Sequence, residues 1–208
     1  MKRKGILTVI SGFSGAGKGT VMKRLLEKYP EEYALSISCT SRSPRTGEQD
    51  GREYFFKTKE EFEQMIAEDA FLEHAKYVDH YYGTPAAYVK EQMDAGRNVI
   101  LEIELQGALQ IRNKLPETIL MFLMPPSADE LENRLRGRGT ETDEVIRARL
   151  RRAVEESRSM DQYDYLVVND DLETCVEEVH HLIQSQRMRT SECMDLITDM
   201  QEGVKKFL

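Results

Sequence analysis

The feature that most constrains this chain is a glycine-rich stretch directly after an apolar run near the N-terminus. The run "ILTVIS" covers residues 6–11, and "GFSGAGKGT" continues from Gly12 to Thr20. A strand, a glycine-rich turn and a helix beginning near Lys18 would aim backbone N–H groups and the positive helix end at one anion. The stretch therefore predicts a phosphate-binding loop, with Lys18 reaching the outer phosphates of a nucleoside triphosphate.

The residue after this lysine departs from the usual phosphate loop. A serine or threonine is common there and its hydroxyl binds magnesium, but position 19 is glycine. No hydroxyl can reach a metal from Gly19, and Thr20 lies about 100° further round the helix, where it fits an α-phosphate. The predicted ATP contacts in this stretch are Gly12, Phe13, Ser14, Gly15, Ala16, Gly17, Lys18, Gly19 and Thr20.

Apolar runs rich in β-branched residues recur between helical patterns and indicate the fold class. Near-continuous apolar strands separated by helices are typical of a parallel sheet with helices on both faces. We therefore predict an α/β fold of the three-layer P-loop type. The predicted strands are residues 6–11, 35–38, 99–104, 119–124 and 165–168.

Two segments interrupt this alternation. Residues 42–84 read as short aromatic-rich strands around one helix, an insertion between the second and third core strands that we interpret as a mixed α+β substrate lobe. The second is the strongly charged segment from residue 126 to about 160, which reads as two helices separated by "RGRGTET" and suits a mobile lid. The predicted units are a core of residues 1–34, 97–125 and 160–186, a substrate lobe of 35–96, a lid of 126–159 and a C-terminal helical extension of 187–208.

Three helix starts carry capping signals. Thr58 with Glu61, and Ser127 with Glu130, have the spacing of a capping box, in which a hydroxyl and a carboxylate satisfy free N–H groups at a helix N-terminus. Thr84, directly before a proline, is a third candidate N-cap.

Composition limits the compartment and the partners. No apolar run approaches the ~18 residues of a membrane span, and three dispersed cysteines indicate neither a disulfide framework nor a zinc site, so we expect a cytoplasmic protein with no membrane partner. A formal net charge of -8 argues against a nucleic-acid partner, since such binding relies on a broad basic surface. The amphipathic tail helix suits docking on the core or a homodimer equally well.

The insertion carries residue types that suit a nucleoside monophosphate. Arg42 and Arg45 lie three apart with Tyr54 following, and guanidinium groups bind phosphate bidentately, although two loop arginines can equally be solvated. Glu73 and Thr84 complement guanine, because a carboxylate accepts from the N1–H and 2-amino donors while a hydroxyl donates to O6. Adenine offers no such donor pair.

Together with the phosphate loop, these residues resemble those of a known family. Over about residues 5–186 it is similar to guanylate kinases, and seven motifs agree in order: "SGFSGAGKGT", "SRSPRTGE", "GREYFF", "YYGTP", "LEIELQGA", "GRGTETDEVIRARL" and "VVNDDL". The resemblance implies direct in-line transfer of the γ-phosphoryl group of ATP to GMP with Mg²⁺, in purine nucleotide metabolism. The GMP-binding positions that it implies are Ser38, Arg42, Arg45, Tyr54, Glu73, Tyr82, Thr84 and Glu104.

The resemblance also implies the remaining roles. Arg138 and Arg149 match lid arginines that reach the phosphates and, with Lys18 and Arg42, would stabilise the transferring charge. Asn169 matches a position near the adenine of ATP. Three positions depart from the usual pattern: Phe13 replaces a common proline, and Glu102 and Glu104 replace aspartates that respectively orient the waters of magnesium and lie near the guanine amino group.

Two other functions compete with this interpretation. Another nucleoside monophosphate kinase, such as an adenylate kinase, also has a phosphate loop reading G-K-G-T, but Glu73, Thr84 and the "SPRTGE" loop disfavour it. A non-catalytic scaffold domain of guanylate-kinase type is disfavoured because the loop glycines, Lys18 and both lid arginines are all present.

Overall fold

The secondary structure follows the predicted alternation of strands and helices. The structure is a computed structural model that describes residues 4–137, 139 and 141–208. The strands are β1 (Leu7–Gly12), β2 (Tyr33–Leu35), β3 (Cys39–Thr40), β4 (Phe55–Phe56), β5 (Phe71–Tyr77), β6 (His80–Pro85), β7 (Asn98–Leu101), β8 (Ile119–Met124) and β9 (Tyr165–Val168). The helices are α1 (Lys18–Lys28), α2 (Lys59–Ala67), α3 (Ala86–Asp94), α4 (Leu105–Lys114), α5 (Ala128–Gly137), α6 (Asp143–Ser157), α7 (Leu172–Gln186) and α8 (Met194–Val204).

A five-stranded parallel sheet forms the centre of the fold. Its order is β2-β7-β1-β8-β9, and every neighbouring pair runs parallel. Strand β1 is central: Thr8 pairs with Ile100 of β7 on one edge and with Ile119 of β8 on the other. The α/β prediction is confirmed.

Each face of this sheet is covered by helices, because the strands are apolar on both sides. Along β1, Ile10 packs on one side with Val21 of α1 and Val179 of α7. The adjacent Val9 packs on the opposite side, against helices α3 and α4. The alternation produces the three layers that the sequence predicted.

Two of the predicted strands end earlier than expected. The run 35–38 joins the sheet only at Leu35, and the run 99–104 leaves it after Leu101. Their polar ends, including Ser38 and Glu102, line a cleft at the carboxyl edge of the sheet. Ligands of parallel α/β sheets bind at this edge. The residues that follow Leu35 and Leu101 therefore leave the sheet where a ligand cleft is expected.

A second, smaller sheet lies between β2 and β7 in the chain. Its order is β4-β3-β6-β5, and it encloses its own core, in which the rings of Phe62 and Phe71 stack with centroids 4.4 Å apart. The predicted capping box of α2 is present: the Thr58 hydroxyl accepts from Glu61 N–H and the Glu61 carboxylate accepts from Thr58 N–H.

The other two capping predictions have different outcomes. For α5, the structure shows the hydroxyl half of the predicted box, Ser127 accepting from Glu130 N–H at 3.1 Å, while the Glu130 carboxylate accepts from Arg134 at 2.7 Å. The prediction for Thr84 is wrong: the residue lies inside β6, fully buried, and the N-cap of α3 is Pro85. The Thr84 hydroxyl donates instead to the buried carboxylate of Glu73.

Helices α5 and α6 lie over the glycine-rich turn. Leu131 and Leu135 of α5 and Ile146 of α6 share an apolar cluster with Phe13, whose ring meets Phe122 edge-on at 4.9 Å. Phe13, the departure from the usual proline, thus joins the turn to these two helices.

The C-terminal helix α8 exposes several large apolar side chains, namely Met194, Leu196, Met200 and Val204. In the described part of the chain, no helix is long and apolar enough to cross a membrane.

One turn of the second sheet is strained. Val78 has φ 56° in the loop between β5 and β6, which Tyr77 and His80 close by pairing. A left-handed backbone costs a residue with a Cβ about 1–2 kcal/mol, and glycine is the residue such hairpin turns prefer. Val78 is 75% exposed, so its side chain adds little by burial.

We expect Val78→Gly to raise the melting temperature by about 2–4 °C, because relief of the left-handed strain exceeds the entropy cost of glycine. Thermal denaturation followed by circular dichroism measures this shift. Val78→Ala is the matched control, since alanine keeps the Cβ; a glycine variant that melts no higher than the alanine variant would contradict the explanation.

Candidate functional site

The turn after β1 has the geometry of a phosphate-binding loop. Gly15 and Gly17 adopt φ 95° and 91°, and Gly17 is the N-cap of α1, so the first-turn N–H groups of that helix face the loop. The Lys18 ammonium donates to the carbonyl oxygens of Gly12 at 2.8 Å and Phe13 at 3.3 Å. The lysine therefore folds back over the loop, where it can contact a bound phosphate.

Asn169 braces this loop from β9. Its side-chain amide donates to the Ala16 carbonyl at 2.8 Å, and the residue is buried. A Cβ on Gly17 would come within 2.4 Å of the same amide nitrogen, so glycine is required there by space as well as by φ. The sequence associated Asn169 only with adenine; the structure shows in addition that it holds the loop.

Gly19 and Thr20 are exposed at the start of α1. A Cβ added at Gly19 would meet no atom within 4 Å, so space does not require glycine there. The consequence of glycine at position 19 is therefore chemical: it offers no side-chain hydroxyl to a metal.

The lid arginine Arg149 contacts the loop directly. Its guanidinium donates to the Ser14 hydroxyl and, at 2.6 Å, to the Glu141 carboxylate. Its Nε is buried with no acceptor among the described residues. Arg149 is thus held at the phosphate loop through Ser14. The other predicted lid arginine, Arg138, lies outside the described residues.

Glu73 and Thr84 form a buried pair across β5 and β6. The Thr84 hydroxyl donates to Glu73 Oε1 at 2.6 Å, and the two residues are register partners. Glu73 is only 7% exposed, and this burial raises the pKa of its carboxyl despite the hydrogen bonds from Thr84. Such a carboxylate is held ready to accept from ligand N–H donors that restore its lost hydration.

Arg42, one of the predicted phosphate residues, contacts an acidic residue and an aromatic ring of the same lobe. The Arg42 guanidinium makes two bonds to the Glu48 carboxylate, of 2.9 and 3.0 Å, and lies 5.4 Å from the ring centroid of Tyr54. This contact lowers the pKa of the Glu48 carboxyl. Tyr54 in turn packs on Tyr82, with ring centroids 6.0 Å apart.

The other two phosphate candidates lie close to this group. Ser38 lines the same cleft as Tyr54 and Thr84. Arg45 has an exposed position, and its backbone N–H donates to Glu48 Oε2 at 2.7 Å. The Glu48 carboxylate therefore accepts from the Arg42 guanidinium and from the Arg45 backbone N–H.

The acidic residues after β7 line a larger cleft of about 1090 Å³ between the lid and the core, which Lys18 and Ser14 also line. Glu102 and Glu104 are both exposed there. Glu104 is the N-cap of α4, and its carboxylate pairs with Arg152 of α6. The cleft has the size of a nucleotide site and joins the phosphate loop to the substrate lobe.

Sequence reasoning missed three of these partners. Glu48 and Glu141 neutralise predicted site arginines, and Arg152 pairs with a predicted site glutamate. Glu48 closes the "SRSPRTGE" motif, so its three-residue spacing from Arg45 was a usable signal. The contacts of Glu141 and Arg152 depend on how α6 packs and had no sequence signal.

Comparisons with known proteins agree on one family. The guanylate kinase family model matches residues 4–186. The chain is 48% identical to the guanylate kinase of Caldanaerobacter subterraneus subsp. tengcongensis over 97% of this chain and 98% of that one. It is 49% identical to that of Bacillus subtilis, covering 91% and 93%. The crystal structure of guanylate kinase from Anaplasma phagocytophilum is similar, with a TM-score of 0.69, 30% identity and 91% and 89% coverage.

The buried carboxyl of Glu73 predicts a stability effect that depends on pH. A carboxyl with a raised folded-state pKa binds its proton more tightly in the folded chain, so the free energy of unfolding falls as pH rises from about 4.3 through that pKa. Glu73→Gln removes this fall, while the amide oxygen can still accept from Thr84. We expect the variant to melt about 2–5 °C above the parent near pH 7.5, and the difference to shrink towards pH 4.

Thermal denaturation across this pH range measures the difference. Glu117→Gln is the matched control, because Glu117 is exposed. A Glu73→Gln variant that is less stable than the parent at neutral pH would show that burial does not destabilise the charged carboxylate.

Proposed function

The chain belongs to the guanylate kinase family, and on that premise we propose how its residues divide the work of phosphorylating GMP. It is a nucleoside monophosphate kinase that transfers a phosphoryl group from ATP to GMP. The observation that carries the assignment of residues is the buried Glu73–Thr84 pair: Thr84 lines one cleft with Glu102, and Glu102 also lines the cleft that Lys18 of the phosphate loop borders.

Glu73 and Thr84 recognise guanine. The carboxylate accepts from the N1–H and 2-amino groups, and the threonine hydroxyl donates to O6 once guanine displaces its bond to Glu73. Burial supports this role, because an unhydrated carboxylate gains most from two new donors and loses most with a base that lacks them. Glu104, at the start of α4, approaches the guanine amino group from the lid side.

Arg42, Arg45, Ser38, Tyr54 and Tyr82 hold the phosphate of GMP. Glu48 accepts from the two donors of Arg42 that a phosphate would take. When phosphate replaces the Glu48 carboxylate, the Arg42 guanidinium exchanges one anionic partner for another. Arg42 then remains next to the attacking oxygen and helps to stabilise the transferring group.

The phosphate loop, residues 12–20, holds the β- and γ-phosphates of ATP through its backbone N–H groups, and Asn169 holds the loop and borders the adenine side. Lys18, Arg149 and Arg138 stabilise the charge that spreads over the transferring group. No side chain needs to act as a nucleophile, since the GMP phosphate attacks directly. The lid helices α5 and α6 exclude water from the γ-phosphate.

Magnesium is the implied cofactor, and the donor set of the chain fits it in one way. Among the described residues, no cluster of three or more acidic, histidine or cysteine side chains could hold a metal ion. Glu102, an exposed carboxylate in the cleft that Lys18 lines, can order waters around a metal that ATP itself brings. Bound magnesium would neutralise phosphate oxygens and so make the γ-phosphorus easier to attack.

We further propose the setting in which the enzyme works. Its partners are ATP and GMP, with neither nucleic acid nor membrane, as its charge of -8 supports, and its compartment is the cytoplasm. A homodimer through α8 is supported by the exposed apolar residues of that helix. The predicted division into core 1–34, 97–125 and 160–186, lobe 35–96, lid 126–159 and tail 187–208 is retained as part of this proposal.

Base recognition is tested by Glu73→Gln in steady-state kinetics. Replacing one acceptor oxygen by an N–H₂ group opposes the guanine donors, so we expect kcat/KM for GMP to fall by about 10²-fold or more, with KM for ATP within about twofold. Glu117→Gln serves again as the control and should match the parent. A parent-like kcat/KM for GMP in the Glu73 variant would exclude this role.

Lid closure is tested by ATP hydrolysis with and without acceptor. If the lid excludes water until both nucleotides are bound, ADP release without GMP should be slower than with GMP by at least about 10²-fold. A coupled assay for ADP measures both rates. Equal rates would contradict closure that depends on GMP.

A further inference from the structure

Helix α4 runs along the free edge of β5, next to the buried glutamate. Strand β5 is the edge strand of the four-stranded sheet and pairs with β6 on its other side. Its register shifts between Phe71 and Glu73, so the ladder is irregular where the site carboxylate leaves the backbone. An irregular edge needs support from outside the sheet to hold one conformation.

Gln110 of α4 supplies that support. Its side-chain oxygen accepts from the His74 N–H at 3.2 Å, and its side-chain nitrogen donates to the His74 carbonyl at 3.3 Å. These two bonds satisfy both outward backbone groups of the residue directly after Glu73. The amide of Gln110 therefore takes the place of a neighbouring strand.

Lys114 extends the same contact by one turn. Its ammonium donates to the Phe71 carbonyl at 2.8 Å and to Asp69 at 2.6 Å. Residues at spacings of three and four share one helix face, so this face of α4 holds β5 on both sides of Glu73.

Gly107, three residues before Gln110, faces the carboxylate itself. A Cβ there would lie 3.0 Å from Glu73 Oε2 and 3.1 Å from Ile103 Cδ1. Gly107 is in the first turn of α4, where N–H groups lack intrahelical acceptors and the helix end is positive. Glycine thus lets the carboxylate lie close to a favourable helix end, whereas an added Cβ would require Glu73 or Ile103 to move by a few tenths of an ångström.

We propose that Gly107 and Gln110 are positioning residues for guanine specificity: Gln110 fixes the backbone beside Glu73, and Gly107 leaves the space that its carboxylate occupies. This inference rests on the proposed recognition of guanine by Glu73. Because Glu104 is the N-cap of α4, one helix then positions both carboxylates that approach the base.

The test compares Gln110→Ala and Gly107→Ala with Asn113→Ala, an exposed amide on the same helix. Misplacing Glu73 should raise KM for GMP by about 10-fold, with kcat and KM for ATP within about twofold. The preference for GMP over inosine monophosphate, which lacks the 2-amino group, should fall by a similar factor. Asn113→Ala should match the parent in all of these.

Gly107→Ala also separates positioning from folding. Alanine favours a helix over glycine, so this variant should melt at or above the parent temperature while its KM for GMP rises. In a Glu73→Gln background, Gly107→Ala should change KM for GMP by less than about twofold, because the two substitutions act on the same contact.

Unchanged GMP kinetics and base preference in both variants would overturn the inference, and so would equal losses for ATP and GMP. Glu73→Gln distinguishes a failure of the positioning role from a failure of the proposed guanine recognition. If that variant loses GMP use while Gln110→Ala and Gly107→Ala keep it, the positioning role alone fails. If Glu73→Gln keeps GMP use, the proposed recognition of guanine fails first.

Discussion

The hydrogen bonds of β1 to β7 on one edge and β8 on the other fix the positions from which the site is built. Because all three strands run parallel, their carboxyl ends meet, and Gly12, Glu102 and Met124 leave the sheet on the same side. The phosphate loop follows β1, the acidic residues follow β7, and the loop brace Asn169 follows β9, where its N–H bonds to the Met124 carbonyl. A shift of any one strand would move a part of the nucleotide site.

Charge compensation is a second property shared by the whole cleft. Arg42 pairs with Glu48, Arg149 with Glu141, and Arg152 with Glu104. Each pair holds a guanidinium near its working place in a protein with more acidic than basic residues. The exposed Arg152–Glu104 pair adds little to stability, whereas the side chains of Arg42 and Glu48 are only 12% and 18% exposed.

Glu73 is the exception, since its carboxylate is buried and forms no ion pair with any residue that the structure describes. The cost of that burial is the reason to expect opposite effects of Glu73→Gln on stability and on GMP use. Helix α4 reduces the cost by presenting its N-terminal turn, with Gly107, to the carboxylate. In the proposed mechanism, stability is lowered at the same carboxylate that would discriminate between bases.

Much of the fold could be predicted because it depends on local patterns: apolar strands, capping residues at Thr58 and Ser127, and the glycine spacing of the phosphate loop. The sequence by itself also indicated the family, which the comparisons confirm, and it selected Glu73, Thr84 and the arginines as candidates. It could not determine that Thr84 bonds to Glu73 instead of capping α3, that Phe13 packs under the lid helices, or that Gln110 supports an irregular strand edge. These contacts join residues from separate elements, so only the packing of helices on sheets decided them.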